Sequence, residues 1–135
     1  MTARPRPRGV TALSIFFAFG AAMSFTAAVA LLFPGGFLEP VWRLNPRARE
    51  GFASIGSWAI GLMFAVFAAC IFSAIGLWRG RRWGHRSAAT VLTINVLGDM
   101  ANGIFGGDPR AFIGVPIGLA LLAYLRTRRV RSFVD

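Results

Sequence analysis

Long apolar runs alternate with short polar and basic segments along this chain. Helices are predicted over residues 10–33, 46–78, 87–105 and 109–127. A run of about 18 or more apolar residues is long enough to cross the hydrocarbon core of a bilayer as a helix. The pattern therefore predicts an all-α membrane protein, a four-transmembrane-helix bundle formed by a single membrane domain over residues 1–135.

Proline and glycine mark the turns between the predicted helices. A Pro-Gly-Gly sequence at 34–36 ends the first helix, because proline cannot continue a helix and glycine accepts the turn. Asn45-Pro46 then supplies an N-cap and a proline at the first helical position, and Asp108-Pro109 repeats this order before the fourth helix. The repetition leaves open a duplicated helical hairpin, although turn chemistry alone also favours these residue types.

The first and fourth apolar runs differ in length, and each has its own consequence. The first has a basic start and a small-residue sequence at 28–30, as a signal peptide has, but it is too long for one, so a retained helix is expected. The purely apolar part of the fourth, residues 111–125, is about 22 Å long as a helix. It spans a bilayer only if Arg110 and Arg126 extend outward from its two ends.

The most basic part of the chain, from Trp78 to Arg86, lies between two apolar runs and is called the elbow below. It carries four arginines and two tryptophans, which are Arg79, Arg81, Arg82, Arg86, Trp78 and Trp83. Because the transfer of arginine into hydrocarbon is costly, the elbow is expected to stay on one side of the bilayer. The tryptophan rings suit the headgroup layer, where one face meets lipid and the N–H meets water.

The positive charge of the chain is unevenly distributed. All fifteen basic residues are arginines, and the formal net charge is +10. Eleven arginines lie in the tail 1–9, in the elbow and from residue 126 onward, and four lie on the opposite side of the predicted helices. The positive-inside rule therefore predicts a multi-pass protein of the bacterial cytoplasmic (inner) membrane, with the elbow and the basic tails 1–9 and 128–135 in the cytoplasm.

The same charge bears on the expected partners. In a soluble protein it would suggest nucleic acid. Beside such apolar runs it indicates contact with lipid phosphate, so membrane lipid is the expected partner and nucleic acid is not.

Small residues recur at every fourth position in the first, second and fourth predicted helices. The positions expected to pack against other helices are Ser57, Gly61, Ala65, Ala69, Gly114 and Gly118. Small side chains let helix backbones approach closely, so that dispersion replaces the hydrophobic attraction that lipid does not provide. The simpler alternative is that alanine and glycine are frequent throughout this chain. The pattern favours packing against other membrane subunits or against a second copy.

One face of the third predicted helix is polar. Asn95, Asp99 and Asn102 are at positions i, i+4 and i+7, and Asp99 is the acid of this helix. In hydrocarbon each of these side chains needs a partner, so the face is expected to point into a bundle or a hydrated cavity. One hypothesis is a proton or ion site in which Asp99 titrates. The other is a structural role, in which Asp99 pairs with an outer arginine such as Arg43 or Arg110.

Residues for metal, disulfide or nucleophilic chemistry are scarce. Cys70 is the single cysteine and His85 is the single histidine, and neither completes a metal site alone. No serine has a histidine beside it in a pattern typical of a catalytic triad. We therefore expect no enzymatic activity, no metal and no cofactor. His85 as a lone axial ligand of a pigment or haem stays open beside the simpler role of a polar group in the elbow.

Several of these segments resemble a group of small bacterial four-helix integral membrane proteins that have no assigned activity. The similar segments are Phe33-Pro-Gly-Gly, Trp42-Arg-Leu-Asn-Pro, Gly76-Leu-Trp-Arg-Gly-Arg-Arg-Trp-Gly, and later Asn95, Gly98, Asp99 and Asn102. The resemblance covers most of the chain and implies a four-helix membrane fold without assigning a catalytic residue. Small multidrug transporters have a similar length, but they carry an essential glutamate in the first helix, where this chain has no acid.

Two functions are compatible with these patterns. The first is an accessory or assembly subunit that packs against other membrane helices, because rows of small residues are present and a catalytic set is not. The second is a small proton- or ion-coupled carrier that uses Asp99 and works as a homodimer, since four helices alone enclose little space.

Overall fold

The computed structural model describes residues 5–135, and within this range the chain forms six α-helices and no β-strand. The helices are α1 (Arg8–Leu32), α2 (Pro46–Ile55), α3 (Trp58–Trp78), α4 (Arg82–Phe105), α5 (Ala111–Leu125) and α6 (Arg128–Val134). A 3-10 helix, Glu39–Arg43, lies between α1 and α2. The predicted all-α class is confirmed. Of the predicted N-terminal tail, residues 1–4 lie outside the described range.

Three of these helices, α1, α3 and α4, are each long and apolar enough to cross a membrane. The helices α5 and α6 reach that length only as a pair, and they are bent by 59° at the break between them. The chain therefore has three candidate spans, or four if the bent pair counts as one. This number is compatible with a membrane protein that crosses the bilayer several times.

The prediction of a single helix over 46–78 is wrong, because this segment forms two helices, α2 and α3. Gly56 has φ +73°, in the left-handed region that L side chains rarely adopt, and its N–H donates to the Phe52 carbonyl at 3.1 Å. The start of α2 agrees with the sequence pattern, since the Asn45 side chain accepts a hydrogen bond from the Ala48 N–H at 3.1 Å. The charged α2 is thereby separated from the apolar α3.

The start predicted for the third helix at residue 87 is also wrong, since α4 begins at Arg82. Arginine is a good helix former and its long side chain leaves the helix surface, so a cluster of arginines does not prevent helix formation. The turn between α3 and α4 is therefore confined to residues 79–81, where Gly80 has φ +64°. The predicted end at Phe105 agrees with the structure.

The fourth predicted helix, 109–127, is shorter in the structure. The Asp108 side chain accepts a hydrogen bond from the Arg110 N–H at 3.1 Å and forms a turn, so α5 begins only at Ala111. The tail 128–135, which was expected to be a basic extension, folds instead into α6 over most of its length. This segment folds into a helix because it has an apolar side. Val130, Phe133 and Val134 are at positions i, i+3 and i+4, and both valines are buried.

The described chain divides into two compact units, one formed by residues 5–16 and 72–135 and the other by residues 17–71. Buried apolar side chains form the core of the first unit, and they include Val10, Leu77, Leu92, Leu125 and Val130. In the second unit, aromatic contacts join α1 to α3, with the Phe25 ring 5.3 Å from Phe67 and 6.4 Å from Phe64 between centroids.

Candidate functional site

The polar face predicted on the third helix lies beside a close contact between α4 and α5. Gly114 and Gly118 of α5 bring no side chain to this contact, which lets the two helices approach. A Cβ atom at Gly118 would occupy the place of the Val96 Cγ2 atom. On α4, Gly103 makes room in the same way for the ring of Phe112.

Asp99 is half-buried at the edge of this contact. Its Oδ2 atom lies over Gly114, in the space that a Cβ atom would fill. Within residues 5–135 no ion pair joins Asp99 to Arg110, and no hydrogen bond to its carboxylate is present. The carboxylate thus packs on the backbone of α5 at Gly114 and keeps part of its surface exposed.

Asn95 and Asn102 are exposed and flank Asp99 along α4. The Asn102 Oδ1 atom lies over Gly106 at the end of the helix, and the Asn95 side chain has no hydrogen bond within the described part of the chain. Between them, Gly98 leaves an open notch, since no heavy atom of the described residues outside the adjoining turns of α4 lies within 4 Å of the place where its Cβ would be. The structure therefore brings Asn95, Asp99 and Asn102 together on one accessible face.

The row of small residues predicted in the second helix is largely uncovered. Ser57 lies in the turn before α3, and Gly61 and Ala65 are exposed on α3, whereas Ala69 is half-buried. Among residues 5–135, and apart from the adjoining turns of its own helix, no heavy atom lies within 4 Å of the place that a Cβ at Gly61 would occupy. This row is thus available for packing against helices other than those described here.

A close approach of α3 and α4 falls on glycines that sequence reasoning did not select. Gly76 of α3 and Gly84 of α4 bring their backbones together, so a Cβ on either would overlap the other backbone. One turn further along, the Ser73 and Ser87 hydroxyls form a hydrogen bond at 2.9 Å. The signal was present in the sequence, because the two glycines lie at nearly equal distances from the tight turn at Gly80.

Both tryptophans of the elbow contact other side chains of the protein. The Trp78 ring lies under the Arg6 guanidinium, 3.8 Å from its centroid, in a cation–π contact. The Trp83 ring meets the edge of Phe72 at 5.8 Å between centroids. Both tryptophans keep almost half of their surface exposed. Such rings are suited to an interface between lipid and water.

The remaining elbow cations surround a cleft at the end of α4. Arg79 and Arg81 are exposed on the turn, whereas Arg82, His85 and Arg86 line a cleft of about 490 Å³ together with Arg131 of α6. The His85 Nε2 atom donates a hydrogen bond to the Leu125 carbonyl at 2.8 Å and so ties α4 to the end of α5. The contribution of α6 was missed by sequence reasoning, because residues 128–135 were predicted only as a basic cytoplasmic tail.

A second polar feature belongs to the loop after α1. Glu39 forms an ion pair with Arg49 and accepts a hydrogen bond from the Gly35 N–H at 3.1 Å. Trp42 is buried beside Phe52, with 5.8 Å between the ring centroids. These contacts fold the loop onto α2 and leave it as a compact cap.

Within residues 5–135 no group of three or more histidine, cysteine, aspartate or glutamate side chains is placed to hold a metal ion. Comparison with protein-family models, with curated proteins and with solved structures finds no match to this chain. The function is therefore inferred from the geometry of its own residues.

Proposed function

We propose that this chain is a small multi-pass protein of the bacterial cytoplasmic membrane and acts as an accessory or assembly subunit. The observation that carries this function is the exposure of Asn95 and Asn102 on α4, a helix apolar and long enough to be a span. An amide side chain that faces hydrocarbon loses its hydrogen bonds to water without replacement. Such a face is favourable when the helices of another membrane protein cover it.

The proposed arrangement in the membrane has four crossings. It uses α1, α3 and α4 and takes α5 as the fourth, packed as a bundle with both termini and the basic helix α6 on the cytoplasmic side. The support for the orientation is the concentration of arginines in the elbow and in both tails. The 15 residues of α5 are about 22 Å long, so Arg110 and Arg126 would extend from its ends to the headgroups.

The partner chemistry follows from the uncovered surfaces. A partner helix with small residues could enter the notch at Gly98 and donate hydrogen bonds to the amides beside it. The exposed Gly61 and Ala65 of α3 offer a second surface for close helix packing. The proposed function includes no enzymatic activity, metal, cofactor or nucleic acid.

The first test is the native mass of the protein after extraction from its own membrane in mild detergent, with co-migrating chains identified. We expect the wild type to migrate in a larger assembly with a different chain. Asn95→Leu/Asn102→Leu removes both amides and should release the protein from that assembly. Thr93→Val is the matched control, since its hydroxyl donates to the Ala89 carbonyl at 2.8 Å within α4 and contributes nothing to the amide face. Wild-type protein that migrates alone or only with copies of itself would contradict a subunit role.

The carrier function has one observation in its favour. The Asp99 carboxylate has no counter-ion within residues 5–135 and lies between exposed amides, as a group that exchanges a proton or a cation would. Asp99→Asn keeps the shape and removes the charge. For a subunit, we expect this variant to keep the native assembly and its phenotype. Loss of a transport phenotype with assembly intact would support the carrier and contradict the accessory role.

A further inference from the structure

The structure points to a second site, and we propose that the cleft at the end of α4 binds the headgroup of one anionic phospholipid whose acyl chain follows the groove between α4 and α5. This inference rests on the proposed membrane location and goes beyond the subunit role, because it concerns a different surface from the polar face of α4.

The headgroup part of the site is the basic cleft. Arg82 and Arg86 are one turn apart on α4, and Arg131 reaches the same cleft from α6. Guanidinium groups bind phosphate oxygens through paired N–H donors, so three arginines around one cleft are suited to a single phosphodiester. The cleft volume of about 490 Å³ accommodates a group of that size.

The charge of the cleft is only partly balanced by the chain itself. The Asp135 carboxylate lies 3.5 Å from the Arg82 Nε atom and lines the same cleft. Three arginines and one aspartate leave two net positive charges. Within the described residues, neither Arg86 nor Arg131 has a carboxylate within ion-pair distance. An anionic headgroup would supply the missing negative charge.

The acyl-chain part of the site is an adjoining groove of about 300 Å³. Ala89 and Ile94 of α4 and Leu122 and Leu125 of α5 form its apolar walls, and Thr90, Thr93 and Arg126 also line it. His85 lines both the groove and the basic cleft, and its hydrogen bond to the Leu125 carbonyl holds it at the junction. The two spaces are therefore neighbours, with the apolar one running along a candidate span away from the basic end.

The combination of a basic cleft and an adjoining apolar groove favours a phospholipid over other anions. A free phosphate would use the arginines but leave the apolar groove empty. Nucleic acid would use the charge but has no long aliphatic chain for a groove whose walls include Ala89, Ile94 and Leu122. A phospholipid satisfies both, since its phosphate lies at the membrane surface and its chain lies in the hydrocarbon beside α4 and α5.

The test measures lipid retained by the full chain, purified in neutral detergent, by native mass spectrometry with added phosphatidylglycerol or phosphatidylcholine of the same acyl chains. We expect the wild type to retain phosphatidylglycerol in preference. Arg86→Gln/Arg131→Gln should weaken retention at least about tenfold, because charge-assisted hydrogen bonds to the phosphate are lost. Arg128→Gln/Arg129→Gln removes the same charge outside the cleft and should retain lipid as the wild type does. Equal losses in the two double variants, or no preference in the wild type, would overturn the site.

Two further variants test the parts of the site separately. Asp135→Asn should strengthen retention, since a competing carboxylate is removed. Ile94→Trp should fill the groove and weaken retention, whereas Ile113→Trp is the matched control, because Ile94 is 62% exposed and Ile113 is 63% exposed on α5 outside the groove. Both tryptophan variants change exposed positions and are expected to fold. They therefore still test the site if the arginine double variant does not fold.

Inorganic phosphate is the last ligand to be tested. If it protects the protein against thermal unfolding as well as phosphatidylglycerol does, and Ile94→Trp has no effect, the groove plays no part and the phospholipid assignment is wrong. Retention in carbonate-washed membranes, measured for every variant, reports the membrane location separately. Failure of the lipid site is thereby distinguished from failure of the proposed function.

Discussion

At the scale of single residues, the position of each glycine decides what it contributes. Gly84 lies against the backbone of Gly76, whereas Gly98 of the same helix has open space around it. Both glycines are equally unfavourable for helix formation when considered alone. Their different surroundings follow from their places along α4, because Gly84 lies beside the turn that joins α3 to α4, whereas Gly98 lies about 21 Å further along the helix on nearly the same face.

The pair provides a test of the contact between α3 and α4. Gly84→Ala is expected to destabilise the protein by about 1–3 kcal/mol, since the new methyl group meets backbone atoms that cannot move independently. Gly98→Ala should instead leave stability unchanged or raise it by up to about 1 kcal/mol, through better helix propensity. Unfolding in detergent, followed by circular dichroism, measures both. Equal stability of the two variants would contradict the close approach at Gly84.

At the scale of elements, α6 converts a basic tail into part of the fold. Val130 and Val134 are buried, and the Phe133 ring lies 3.0 Å from the place where a Cβ of Gly80 would be. The arginines of α6 are exposed on its other side. The short helix is therefore amphipathic, and its apolar side covers the turn between α3 and α4.

Detachment of α6 can be measured by proteolysis. Val130→Asp places a charge in the buried contact and is expected to release the helix, because an unpaired charge is costly to bury. Trypsin should then cleave after Arg128 and Arg129 at least about tenfold faster, since cleavage of a folded segment follows the population of its open form. Ser132→Asp, at an exposed position of the same helix, is the control and should be cleaved at the wild-type rate. A wild-type rate in Val130→Asp would contradict the packing of α6.

At the scale of the whole molecule, the uneven distribution of arginine determines the proposed orientation. The elbow and the C-terminal helix α6 are rich in arginine, whereas the loop after α1 and α2 together carry three, of which Arg49 of α2 pairs with Glu39. Arginine is retained on the cytoplasmic side during insertion, and this difference is the basis for the proposed direction of every crossing.

Cysteine labelling in intact cells tests that orientation. In a chain with Cys70→Ser, a cysteine at Arg81 is expected to react with an impermeant reagent only after the membrane is opened. A cysteine at Phe37, which is 90% exposed in the loop after α1, should react from outside. Gly80 is unsuitable for this purpose, because its φ of +64° disfavours any side chain. Labelling of position 81 from outside would reverse the proposed topology.

The sequence by itself determined the helical class, the apolar character of α1, α3 and α4, and the positions of several helix ends. The length of the apolar runs determines the helical class and the apolar character of these helices, since a long run without polar interruptions has few alternatives to a helix. The ends at Asn45 and Phe105 could be predicted because caps and glycines act through local chemistry. The break at Gly56 was missed, since a glycine inside a long run marks a turn only if its φ becomes positive.

Only the tertiary structure decided which residues meet. Periodicity places Asn95, Asp99 and Asn102 on one face, but it does not reveal that Gly114 lies beneath Asp99 or that Gly76 meets Gly84. Nor does it reveal the bond from His85 to the Leu125 carbonyl, which joins groups 40 residues apart. Such contacts depend on the rotation and crossing of whole helices, and these are set by the packing of all side chains together rather than by any local pattern.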